Sequence, residues 1–208
     1  MPDPVAPQTL AEAAREIVEV GRYLSARDLV PATSGNFSRR LNEDWIGVTR
    51  SGVDKGELME ADILPVPLSE PLPGGTSAET PLHLALYRDR PEVGAVLHIH
   101  SHAATLISQM HEASGELIFR GYEMQKAFAG QTTHAAAYAV PVFPNSQDIP
   151  TLATEVSARL AREPAAVGYL LAGHGLYAWG KTIAEARRHV MAFEFLMTCD
   201  LHKRRLGP

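Results

Sequence analysis

Apolar and polar positions along this chain follow two different periods, and the switches between them mark out its elements. Over residues 10–29, Leu10, Ala13, Ala14, Ile17, Val20 and Leu24 recur at helical spacing, with Glu12, Arg15, Glu16 and Glu19 opposite. That arrangement predicts an amphipathic helix. Strand-like pieces follow at residues 37–41 and 45–49. The run SEPLPGGTS at 69–77 reads as a loop, because proline and glycine interrupt both periods. A helical pattern returns over 79–87. Residues 93–99 form an apolar run suited to a buried strand, and 102–110 is helical again. Further strands are expected at 117–120, 140–143 and 167–171, with a helix at 151–160. Gly173-His174-Gly175 reads as a tight turn leading into a returning strand at 176–179. Residues 182–206 form a closing helix: Thr182 and Glu185 have capping-box spacing, and Ile183, Ala186, Val190, Phe193 and Met197 form its apolar stripe.

Strands and helices in this mixture predict an α/β fold with three layers, helices covering both faces of a mixed central sheet. Repeats, linkers and shifts of composition are not seen, so residues 1–208 are expected to form a single domain. A chain of 208 residues is long enough to bury a continuous core. Its 45% hydrophobic and 21% charged residues are ordinary for a globular protein and argue against wholesale disorder. The formal charge of −5, with only short basic clusters, disfavours a nucleic-acid partner. No stretch approaches the roughly 18 apolar residues that span a bilayer. Cys199 is the only cysteine, so an intrachain disulfide is impossible. The acidic, periodic start is unlike a secretory signal, and a reducing cytoplasm is the expected location.

The sharpest chemical signal is the sequence HIH at His98 to His100, closing the predicted strand. Alternate residues of a strand share a face, so both imidazoles should project together. Neutral imidazole is a preferred ligand of divalent transition metals. A third histidine, His174, stands between two glycines that let the backbone turn sharply. Three protein ligands would leave a coordination position open, as at catalytic metals. The spacing alone is equally consistent with two hydrogen-bonded strand histidines and a turn cap. His102 is expected to start the next helix as a capping or supporting residue, and His83, His111, His189 and His202 to have surface or packing roles. Three small-residue turns, Ser34-Gly35-Asn36, Ser51-Gly52 and Thr76-Ser77, offer backbone N–H groups and hydroxyls of the kind that bind oxyanions. Each alone is an ordinary turn.

In their order along the chain, SGN at 34–36, TRSG at 49–52, SAETPLH at 77–83, HIH at 98–100 and GHG at 173–175 resemble the class II aldolase/adducin family. The resemblance runs from about Leu10 into the final helix. It implies that His98, His100 and His174 hold a divalent metal, usually Zn2+, while Ser34, Gly35, Asn36, Ser51, Gly52 and Ser77 hold the phosphate of a small phosphorylated sugar. It also implies a homotetramer with active sites at subunit interfaces. Three segments are similar to a dehydratase subgroup of methionine salvage, which acts on a methylthio-substituted ketose 1-phosphate by way of an enediolate. They are TRSGVDKGEL at 49–58, GYEMQKAFAG at 121–130 with TTH at 132–134, and PNSQDIPTLA at 144–153. By that resemblance Glu123 is the acid/base, with its carboxyl near the open metal position. Glu79, the glutamate that aldolases keep and some dehydratases replace by cysteine, is the second catalytic candidate and could carry the same acid/base role. The alternative is a sugar-phosphate aldolase or 4-epimerase of the same family. Many of those use a C-terminal tyrosine as proton donor, and here Tyr177 is the last tyrosine, with none in the tail. An adducin-like, non-enzymatic role would predict loss of the ligands, yet all three histidines are present.

Overall fold

A computed structural model of the chain describes residues 5–69 and 71–206. The first part of the proline-rich start, Glu70 of the predicted loop and the last two residues of the tail lie outside the described residues. The chain opens with α1 (Pro7–Ser25), followed by β1 (Asn36–Arg40), β2 (Trp45–Thr49) and β3 (Ile63–Pro67). Then come α2 (Thr80–Asp89), β4 (Ala95–Ile99), α3 (His102–His111), β5 (Glu116–Phe119) and β6 (Tyr138–Phe143). The last elements are α4 (Ile149–Leu160), β7 (Gly168–Leu171), β8 (Gly175–Gly180) and α5 (Ile183–Leu206).

The eight strands form one sheet in the order β3-β2-β1-β4-β8-β7-β6-β5. Neighbours are antiparallel except β6 and β7, which run parallel, so the sheet is mixed as expected. Alternation within each strand divides the core in two. Leu97 and Ile99 of β4, with Leu176 and Ala178 of β8, pack with α1, α3 and α5. Val96, Tyr177, Trp179 and Tyr169 face the other way and pack with α2 and α4. The three-layer α/β/α arrangement follows directly from this period of two.

The expected elements are present with shifted ends. The first helix stops at Ser25 rather than 29; residues 26–29 fold back as a turn, with the N–H groups of Ala26 and Leu29 bonding to Arg22 and Leu24 carbonyls. β3, ILPVP, was not expected, because two prolines in one run oppose a central strand. Its place at the sheet edge removes the objection: an edge strand tolerates missing N–H donors. Ser101, rather than His102, caps α3: its hydroxyl accepts the Ala104 N–H at 3.0 Å, while His102 is exposed.

α5 is anchored over the sheet by Phe193, which is fully buried and stacks near Phe128. It lies so close to Gly168 that a β-carbon there would come within 2.5 Å of its ring. Phe193→Ala is expected to reduce stability by about 3–5 kcal/mol, the transfer plus cavity cost of a buried phenyl ring. Urea unfolding at fixed protein concentration should show a lower midpoint at unchanged slope; an unchanged midpoint would mean that α5 is held elsewhere.

Candidate metal centre

The antiparallel register brings three strands' worth of polar side chains to one place. Asn36 of β1 and Tyr177 of β8 are both directly opposite His98 of β4. Residues in register share a face, so all three lie on the α2/α4 side. Tyr177 stacks on His98 with ring centroids 3.9 Å apart and an angle of 13°, and Tyr169 of β7 stacks behind it at 4.8 Å. This row of rings holds the His98 imidazole in one orientation. His100 follows two residues later, just past the strand end. His174 enters from the β7–β8 turn, where a β-carbon on Gly175 would sit 2.1 Å from the Ile99 carbonyl oxygen. Only glycine permits that approach.

The three histidines converge as their spacing predicts. His98 Nε2 lies 2.8 Å from His100 Nε2 and 3.2 Å from His174 Nε2, which is itself 3.2 Å from His100 Nε2. Glu79 joins them: its Oε1 is 3.0 Å from His174 Nε2 and its Oε2 is 3.5 Å from His98 Nε2. Glu79 occupies the N-cap position of α2 without capping it. Its carboxylate instead accepts a 2.8 Å bond from the Asn36 amide. Four candidate ligand atoms thus lie within 4.8 Å of one another.

Protonation shows what this cluster suits. His98 Nδ1 donates to the Leu176 carbonyl at 3.1 Å, which leaves its Nε2 as a bare lone pair in the neutral ring. His174 Nδ1 lies 3.2 Å from the Asn145 side-chain oxygen, which orients the ring with its Nε2 toward the other histidines and Glu79. The His98 lone pair lies within 3.2 Å of two other imidazole nitrogens, where a cation could be shared among them. Burial pushes the His98 imidazole well below its usual pKa, and burial with the nearby His174 lowers His100 to about 4. Both rings are therefore neutral at physiological pH, the state in which imidazole ligates metal. Burial alone would raise the Glu79 carboxyl, but the His174 hydrogen bond, the neighbouring His98 and the Asn36 amide hold it well below the usual carboxylate range. One carboxylate and three imidazole nitrogens form a donor set that fits a divalent transition-metal ion.

Beside the cluster is a cavity of about 150 Å³. Ser34, Gly35, Asn36, Ser51, Gly52 and Ser77, the six residues expected to hold phosphate, all line it, as do Glu79 and His100. Gly35 has φ +73°, and a β-carbon there would lie 2.6 Å from the His98 carbonyl oxygen, so the turn and the histidine strand touch. The Ser51 N–H donates to the Gly75 carbonyl at 2.9 Å, pinning the second turn to the third. Thr33, Thr49 and Arg50 complete the wall and were not singled out from the sequence, although TRSG contained the signal for two of them.

Within the single chain Glu123 stands apart from the histidine cluster. It starts a 3-10 turn (Glu123–Ala127), its side chain is 70% exposed, and it pairs with Lys126 and with His134 at 3.3 Å. The Lys126 hydrogen bond holds its carboxyl below the ordinary value. Within one chain it is not among the clustered ligand atoms. The physical reason is local: the 3-10 turn after β5 is fixed by Gln125, which bonds to the Tyr122 N–H and the Ala136 carbonyl and leaves Glu123 on the outer surface. The remaining histidines have packing or surface roles. His83 is buried against Ser38, and His189 accepts the Ala129 N–H.

Residues 15–201 match the Class II Aldolase and Adducin N-terminal domain family. The chain is 46% identical over 193 residues to the methylthioribulose-1-phosphate dehydratase of Parvibaculum lavamentivorans, covering 93% of this chain and 95% of that one. It is 48% identical over 206 residues to that of Bradyrhizobium sp., with 97% and 95% covered. Among solved structures, the l-fuculose-1-phosphate aldolase from Thermus thermophilus aligns with a TM-score of 0.75 at 31% identity, covering 95% of each chain.

Removing any one of His98, His100 or His174 by substitution with alanine is expected to abolish most metal binding while the fold persists. Elemental analysis after dialysis, alongside circular dichroism, checks this. Full metal occupancy in any of the three variants would remove that residue from the centre.

Proposed function

The chain belongs to the class II aldolase and adducin family, and on that premise we propose that it is a methylthioribulose-1-phosphate dehydratase of methionine salvage. It removes water from 5-methylthioribulose-1-phosphate to give 2,3-diketo-5-methylthiopentyl-1-phosphate. The observation that carries this reading is identity of 46–48% to dehydratases over nearly the whole of both chains. Residues 1–208 act as one such domain, assembled as a cytoplasmic homotetramer with about one Zn2+ per chain; no described helix is long and apolar enough to cross a membrane.

The chemistry asks for three things. The substrate must be held in register, a proton must leave C3, and the C4 hydroxyl must depart as water after receiving a proton. The turns at Ser34, Ser51 and Ser77 are suited to the first, since remote phosphate contacts convert binding energy into orientation. Zinc held by His98, His100 and His174 would supply a Lewis acid for the ketose oxygens. Glu79, the carboxylate in contact with the histidines, is placed to take the C3 proton. Glu123 keeps the role of proton donor to the leaving hydroxyl. Its exposed position supports donation to the site of a neighbouring chain, in line with interface sites in this family. When the C4 oxygen has left, the resulting C3 enol ketonises and the 2,3-diketone is complete.

A sugar-phosphate aldolase or 4-epimerase is the second reading, favoured by the likeness to the Thermus aldolase and by the retained Glu79. Tyr177 does not serve that reading as a mobile proton donor, because it is fully buried against His98. Incubation with each candidate substrate separates the two. We expect turnover of 5-methylthioribulose-1-phosphate; turnover only of fuculose-1-phosphate or ribulose-5-phosphate overturns the proposal.

Glu123→Gln keeps shape and removes the acid. Its rate should fall about a hundred- to ten-thousandfold, with metal content unchanged and a smaller change in KM. Hybrid oligomers of Glu123→Gln and His98→Ala chains should recover activity above either parent, because a site that takes its histidines from the Glu123→Gln chain and its Glu123 from the His98→Ala chain is intact. Near-normal kcat in Glu123→Gln, with loss of activity in Glu79→Gln, would instead make Glu79 the main acid/base.

A further inference from the structure

Lys55 is the buried charge that the proposed chemistry leaves unused. Only 1% of its surface is exposed. Its Nζ donates to the Thr33 carbonyl at 3.1 Å and to the Val53 carbonyl at 2.6 Å. Those carbonyls belong to two different turns: Thr33 precedes Ser34-Gly35-Asn36, and Val53 follows Ser51-Gly52. Among the described residues no carboxylate forms an ion pair with it. Asp54, its neighbour in the chain, is occupied by the Gly56 N–H at 2.8 Å and offsets only part of the burial that lowers the Lys55 pKa.

A buried ammonium with two carbonyl partners and no anion is costly, and chains rarely keep one without a compensating charge. The cavity whose walls these turns form supplies the place for that charge. His100 lines the same cavity as the Thr33 turn that the lysine holds. Arg50, the cation in the cavity wall itself, is 44% exposed on its side chain and lies 3.7 Å from Asp62, so it is neither fixed nor free. Lys55 is fixed. Its backbone is fixed too: a β-carbon on Gly21 of α1 would lie 2.5 Å from the Lys55 carbonyl oxygen.

We propose that Lys55 is a positioning residue for the substrate's phosphate: its buried ammonium ties the Thr33 turn to the Val53 turn and provides the fixed positive charge behind them. This rests on the reading of the cavity as a phosphate site. The expected occupant is a phosphate dianion, recognised by turn N–H groups and hydroxyls at the surface and by the lysine from behind.

Two experiments test it. In protein carrying [ε-13C]lysine, where Lys126, Lys181 and Lys203 are the other lysines, the Lys55 signal should shift on titration with inorganic phosphate. It should not shift with chloride at equal ionic strength. In Lys55→Met, the KM for the phosphorylated ketose and the inhibition constant of inorganic phosphate should both rise about ten- to a hundredfold, the usual worth of a charge-assisted contact. Metal content should be unchanged and kcat should move far less than KM. A variant with lower thermal stability but unaltered phosphate inhibition makes Lys55 a structural brace only and overturns the inference. If the variant does not fold, the wild-type titration decides: a Lys55 signal indifferent to phosphate overturns it. Wild-type protein that dehydrates the ketose with such an indifferent signal defeats this inference and leaves the proposed function standing. A shifting signal without dehydratase activity does the reverse.

Discussion

The arrangement depends on one register: Asn36, His98 and Tyr177 side by side across β1, β4 and β8. Because the three strands are antiparallel and in step, an amide, an imidazole and a phenol ring emerge on one face within contact of each other. Asn36 fixes Glu79, and Tyr177 fixes His98. A slip of one residue between β4 and either neighbour would move every side chain of the slipped strand to the opposite face and take the site apart. The apolar residues on alternate positions, Leu97 and Ile99 against Leu176 and Ala178, hold the register by the area they bury.

That same burial sets the electrostatics. Removing His98 and His100 from water favours their neutral form, and gathering three imidazoles around Glu79 brings four donor atoms within reach of one cation. Among the described residues, polar atoms nearby lack partners, including the Asn36 Oδ1 and the Tyr177 and Tyr169 hydroxyls. Structure of this kind costs stability and is held by its surroundings, as functional sites usually are. The cavity lined by the three small-residue turns shares Glu79 and His100 with the cluster, so a ligand that fills one reaches the other.

Much of this was legible in the sequence, for identifiable reasons. A strand's period of two made His98 and His100 neighbours on paper, and the flanking glycines flagged His174. The six turn residues, singled out as small residues of the kind that form oxyanion nests, line one cavity. Glu79 was seen as a carboxylate but not as a partner of the histidines, since its place depends on where α2 begins and on an amide 43 residues away. Glu123 stands apart from the cluster within the single chain: what decides its position is a 3-10 turn braced by Gln125, which no periodicity reveals. β3 was hidden by its prolines, and Lys55 by its type, since lysines are normally read as surface residues.

The central claim is that the Glu79/His98/His100/His174 cluster is a metal centre serving dehydration of a ketose 1-phosphate. Its most direct measurement is the dehydration rate of 5-methylthioribulose-1-phosphate by chelator-stripped protein restored with graded zinc. The account predicts negligible turnover in the stripped protein, then a linear rise that breaks at about one ion per chain, as expected for a single tight site. Undiminished dehydration by protein shown to be metal-free would contradict it.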